Sequence, residues 1–148
     1  MSRSGYSDGL DEWAMIRWRG AVKSAIRGAR GQAFLREMAA ALDAMPKKKL
    51  IADEIVAPSG DACAMGAVCL TRGLDVSDMP ALYDFEYEYT EATEDLAGRL
   101  GIAEAMAKEI AYENDEGTYR PETPEERWTR MRAWVAQHVT PESETVAP

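Results

Sequence analysis

A mainly helical α+β domain, with five to six helices around a small β-hairpin and one buried central helix, is what the sequence predicts. Three observations carry that expectation. Apolar residues recur at three- and four-residue steps through most of the chain, as in Leu35, Met38, Leu42 and Met45. Turn residues Pro58 and Gly60 separate two short stretches between residues 50 and 64 that read as paired strands. Residues 62–71 carry no charged side chain in a chain that is 29% charged, and ten neutral residues in a row need a dry environment.

Residues 1–10 are Ser-, Gly- and Asp-containing without periodicity and read as a flexible N-terminus. Residues 11–139 form a single globular domain in this reading, and 140–148 a disordered tail. A chain of 148 residues buries about 68–70% of its unfolded surface, enough for a core without metal or disulfide support. Asp11 and Glu12 favour a helix start through capping and the macrodipole. On that helix Met15, Trp18, Val22, Ala25 and Ile26 share one side, and Arg19, Lys23, Arg27 and Arg30 form a basic stripe beside them. Gly20, Ser24 and Gly28 make a line of small residues against which another helix packs closely. Gly28 and Gly31 break the helix, a second one follows, and Pro46 stops it.

After Lys47-Lys48-Lys49, the apolar pairs Leu50-Ile51 and Ile55-Val56 bracket Ala52-Asp53-Glu54 as one short strand. A uniformly apolar run does not separate strand from helix by periodicity. The small residues favour a strand return at 61–64 and a short buried helix at 65–72. Residues 73–80 form a loop. Tyr83, Phe85, Tyr87 and Tyr89 then alternate with Asp84, Glu86 and Glu88 at strand spacing, while Leu82, Phe85, Tyr89 and Leu96 also fit a helix; the segment is read as extended. Helices at 92–100 and 102–114 are separated by Gly101. The last helix starts at Thr123-Pro124-Glu125-Glu126, a capping box with proline at the first helical position, and presents Trp128, Met131, Trp134 and Val135 as its core face.

Charge is unevenly distributed. Residues 1–50 hold ten Lys/Arg against five Asp/Glu, and residues 51–148 hold seven against twenty-one, so balances of +5 and −14 make the net −9. Such asymmetry bears on partners and steering. The basic stripe suits phosphate contacts, or equally the solvated edge of a helix or a patch answering the chain's own acidic half. Asp84, Glu86, Tyr87, Glu88 and Tyr89 suit a partner surface that imitates nucleic acid or docks on a basic protein, or equally a strand with its aromatics packed on one face. Leu96, Ala97, Leu100, Gly101, Ile102 and Ile110 stand at helix-turn-helix positions, yet the exposed face would carry Glu104, Lys108, Glu109 and Glu113, which largely repels phosphate.

Catalysis and cofactors find little support. His138 is the single histidine, at a helix end. Cys63 and Cys69 lie in an apolar run that raises thiol pKa, are not placed for a mutual disulfide, and with one histidine make no zinc pattern. Glu109, Glu113, Asp115 and Glu116 lack the calcium-loop spacing, and the glycines form no phosphate loop. The expectation is therefore no enzyme, no cofactor and no metal. No apolar run approaches a signal peptide or a membrane span, and free cysteines suit a reducing cytoplasm.

Cys63-Ala-Met-Gly-Ala67 resembles the "CALGA"-type segment of uncharacterised small phage and prophage proteins of proteobacteria. Asn114-Asp115 followed by Thr123-Pro124-Glu125-Glu126 resembles their "ND…TxEE" closing segment, and Trp18-Arg-Gly-Ala21 and Arg27-Gly-Ala-Arg-Gly31 are similar to stretches of the same proteins. The resemblance implies a small cytoplasmic accessory protein and brings no catalytic residues with it. The expected function is non-catalytic binding of a host macromolecule, a protein foremost, through charged surfaces; countering host defence is one instance. The alternative is DNA binding through the helix pair at 96–110 or through the basic stripe.

Overall fold

The computed structural model describes residues 12–79 and 89–141. They form α1 (Glu12–Arg27), α2 (Ala29–Ala44), α3 (Ala64–Arg72), α4 (Tyr89–Leu100), α5 (Glu104–Glu116) and α6 (Pro124–His138). Among the described residues there is no strand, so the expected α+β class is corrected to an all-helical one. The anticipated hairpin is reduced to an isolated antiparallel bridge between Val56 and Ala62.

The physical reason is where the backbone groups go. The Leu50 N–H donates to the Pro124 carbonyl at 2.9 Å, the Leu50 carbonyl accepts from Arg127, and the Ile51 carbonyl accepts from Asn114. A pairing strand needs those same groups. Asp53 sits at φ 67°, in the left-handed region that breaks an extended run, and its N–H donates to the Asp115 carboxylate. The two arms still lie together, with Ile51 N–H donating to Ala62 O and Cys63 N–H to Ile55 O, but they wrap the core as irregular chain.

The uncharged stretch becomes α3, the centre of the molecule. Ala64, Met65, Gly66, Ala67, Val68 and Cys69 are buried, against α2 on one side and α5 on another. Leu70 departs from the expectation: it is 52% exposed, because the helix turns that position outward. The helix start is satisfied twice. The Cys63 Sγ accepts from the Gly66 N–H at 3.4 Å, and the buried Asn114 Oδ1 accepts from the Ala64 N–H at 3.1 Å. Gly66 meets the Ile55 carbonyl so closely that a Cβ there would lie 1.9 Å from its oxygen. Gly66 thus admits the close approach of irregular backbone, while α2 and α5 pack on the rest of the helix. Both cysteines are free, and burial pushes the Cys69 thiol up to about 12.

The helix pair around Gly101 forms as expected, shifted by two or three residues: α4 begins at Tyr89 and α5 at Glu104. Gly101 takes φ 76°, and the Ala97 carbonyl accepts from both Gly101 N–H and Ile102 N–H, a glycine-terminated helix end. The capping box at Thr123 is complete, with both reciprocal bonds at 3.1 Å. From α6, Arg127 and Arg130 reach the last carbonyls of α5, at Glu113 and Asn114, where the helix dipole favours cations.

The line of small residues on α1 has no helix packed on it at Gly20 among the described residues. A Cβ at Gly20 would find no heavy atom within 4 Å. Gly20→Ala is therefore expected to stabilise the fold by about 0.5–1 kcal/mol, through helix propensity alone. A urea midpoint no higher than that of the parent chain would refute it.

Stability should fall as pH is lowered through the carboxylate range. Hydrogen bonds from Arg72, Arg132 and Arg130 hold the Glu37, Asp43 and Glu122 carboxyls below their ordinary values. Groups with depressed folded pKa values stabilise above the unfolded pKa, and that contribution is lost as pH drops through the folded one. Glu113 runs the opposite way: burial, then the charge of Glu109, raises its pKa, so its ionisation works against the folded state. Glu113→Gln should gain stability at neutral pH, with the gain vanishing below about pH 4, where Glu113 is protonated in both states. Urea titrations at the two pH values separate the variants; an equal gain at both would exclude an ionisation effect.

Candidate functional site

A concavity of about 1060 Å³ forms a groove beside α1. One wall is the face of α1 from Met15 to Arg27; the other is α5, through Glu109, Tyr112 and Glu116 at three- and four-residue steps. Trp134 and His138 of α6 lie at its base, with Gln32 of α2 at one end. Of α1 only Ile26 is fully buried, so the helix is held by a narrow edge and keeps its cationic side toward solvent.

Gln32 fixes the end of the groove. Its Nε2 donates to the Ile26 carbonyl at 2.8 Å and to the His138 carbonyl at 3.0 Å. Its Oε1 accepts from Thr140 N–H at 2.9 Å and from the Thr140 hydroxyl at 3.2 Å. A buried amide with both donors and both acceptor sites engaged joins the ends of α1 and α6. His138 stacks on Trp134 with ring centroids 4.4 Å apart, and its Nδ1 lies 2.7 Å from the Trp134 carbonyl, which makes Nδ1 the protonated nitrogen.

Arg19, Lys23 and Arg27, expected as a partner-binding stripe, all line this groove. Arg30 does not. Helix α1 ends at Arg27, Gly28 interrupts the path, and Arg30 stands exposed on α2. Asp84, Glu86, Tyr87 and Glu88 lie outside the described residues, as does the Tyr89 side chain. Lys49 pairs with Asp61 at 3.3 Å, away from the stripe. In the helix-turn-helix-like pair, the Lys108 ammonium is 2.6 Å from Glu94 and 5.7 Å from the Trp18 ring centroid, so α1 covers part of the helix that would read DNA.

No family model, no curated protein and no solved structure matches this chain. Three residues singled out in the sequence satisfy the N-termini of helices. Cys63 caps α3, Asn114 holds the first N–H of the same helix, and Thr123 caps α6. Among the described residues no group of His, Cys, Asp and Glu is arranged to hold a metal ion, and no helix is long and apolar enough to cross a membrane.

The acidic wall and the base of the groove were missed by sequence reasoning. Glu109, Tyr112 and Glu116 share a helix face, which their spacing alone announces. Gln32 gives no such signal, because a lone amide in a helix is indistinguishable from a solvated one.

Proposed function

We propose that this chain is a non-catalytic accessory protein of the phage or prophage type that binds a host macromolecule, a protein foremost, through the cationic side of α1. One observation carries the reading. Arg19, Lys23 and Arg27 form no ion pair with any described residue, a property they share with Arg17, Arg30, Arg36, Lys47, Lys48 and Arg120, but they alone of these stand together along one wall of the groove. Three cations at four-residue steps, beside a concave surface and without an ion-pair partner among the described residues, suit an external anionic surface. Trp13 and Ile16, 72% and 54% exposed, continue the same side of the helix and supply the apolar contact area typical of protein interfaces. Countering host defence is one function such a binder serves.

DNA binding is the second reading, favoured by the same three cations. The outward residues Glu104, Glu109 and Glu116 of α5 weigh against it, since the neighbouring wall repels phosphate. Capture from a bacterial lysate by tagged full-length chain, beside the R19E/K23E/R27E variant, tests the first reading. The expected result is a specific protein retained by the parent chain and lost from the variant. A gel shift at low salt tests the second, because phosphate-driven binding is strongest there. No specific protein at any salt concentration would overturn the protein reading.

A further inference from the structure

We propose that the occupant of the groove is an amphipathic helix of the partner, apolar on one face, with acidic side chains along one edge and basic side chains along the other. This inference rests on the protein-binding reading above and adds the chemistry of the partner.

The shape selects a helix. Lining residues run from Met15 to Arg27, about 18 Å along α1 at 1.5 Å per residue. A helix is about 10 Å across, so a little over three turns, the same length of about 18 Å, sunk to half their depth fill roughly 700 Å³. The groove, at about 1060 Å³, takes that volume. Its flanks Arg19, Lys23, Arg27 and Gln137 are exposed, so it is a trough and not an enclosed ligand cavity. Both long walls are helices, and a helix laid between them meets side chains at its own repeat. No strand edge is offered among the described residues for an extended peptide to join.

The charges select the edges. The α1 wall presents Arg19, Lys23 and Arg27, spaced by one helical turn each, while the α5 wall presents Glu109 and Glu116. A polyanion such as a nucleic-acid backbone gains on the first wall and loses on the second. A second copy of α1 would set cation against cation. A helix with acids facing α1 and bases facing α5 gains on both, with Val22, Ile26 and Trp134 beneath its apolar face.

Fluorescence anisotropy on the full-length chain tests this. The probes are three labelled peptides of about 18 residues, five turns, sharing one apolar face. Their edges are Glu/Lys, Glu/Glu or Lys/Lys, and a labelled DNA duplex is the fourth probe. The Glu/Lys peptide should bind at least about tenfold tighter than the others, a difference of roughly 1.4 kcal/mol. R19E/K23E/R27E should lose that preference. Adding E109K and E116K to that variant exchanges the two walls and should restore it, because the peptide can lie in the opposite direction. Restoration also shows that the reversals left the fold intact. Tightest binding by the Glu/Glu peptide or by DNA, equal binding by all four probes, or no recovery in the exchanged groove would each overturn the proposal. So would a concentration-dependent doubling of mass that R19E/K23E/R27E abolishes. If the Glu/Lys peptide fails while the lysate protein is still captured in a cation-dependent manner, only the helix inference falls; loss of both removes the protein-binding reading too.

Discussion

Replacing Asn114 with leucine is expected to lower the unfolding free energy by about 3–5 kcal/mol. The side chain is 1% exposed and joins three segments, the start of α3, the end of α5 and the chain at Ile51. Its Oδ1 takes the first N–H of α3, and its Nδ2 donates to the Ile51 carbonyl at 2.9 Å and to the Asp115 carboxylate at 2.9 Å. Leucine has nearly the same volume but no polar atoms. The variant therefore leaves a buried donor and acceptor unpaired, at about 1–3 kcal/mol each, instead of opening a cavity. Urea denaturation followed by circular dichroism should show a lowered midpoint with an unchanged slope. A loss under about 1 kcal/mol would mean that the Ala64 N–H and Ile51 carbonyl find other partners, and that the amide is not what ties α5 to the core.

Gly66→Ala should have an effect of similar size, about 3 kcal/mol, at the upper end for a small overpacking change. The added methyl would sit 1.9 Å from the Ile55 oxygen and 3.0 Å from the Ala62 Cβ. The nearer obstacle is backbone, which has no rotamer to change. The segment at 55 must move outward, and that movement strains the Cys63 N–H bond to Ile55 O, 3.0 Å long in the parent chain. Gly98→Ala is the matched control, because a Cβ there meets nothing within 4 Å. Thermal unfolding of the pair should lower the midpoint for Gly66→Ala alone. Equal midpoints would show that the 50–63 segment yields freely.

The helices were legible because their signals are local. Pro46 and Gly101 mark ends within a few residues, Thr123 and Glu126 identify a start, and the spacing of Leu35, Met38 and Leu42 defines a buried face. The hairpin failed for a nonlocal reason. Nothing in Leu50 or Ile51 announces that Pro124, Arg127 and Asn114, more than sixty residues away, take up their backbone groups. The same limit governs the groove. The basic stripe could be read from one helix, and Arg30 was misplaced only because Gly28 interrupts the path. The acidic wall faces that stripe through tertiary packing, which spacing along α5 does not encode.

The shallow seating of α1 has a kinetic consequence. It contributes one fully buried residue, Ile26, whereas α2 contributes seven. Its opening free energy must then lie well below that of global unfolding, and its amides should exchange with deuterium before those of α2 or α3. Gln32, bonded to the Ile26 carbonyl, ties down the C-terminal end of α1, so the turns farther from Gly28 should be the first to open. Exchange in α1 would then report on the first turns of that helix and leave the protection of α2 and α3 unchanged.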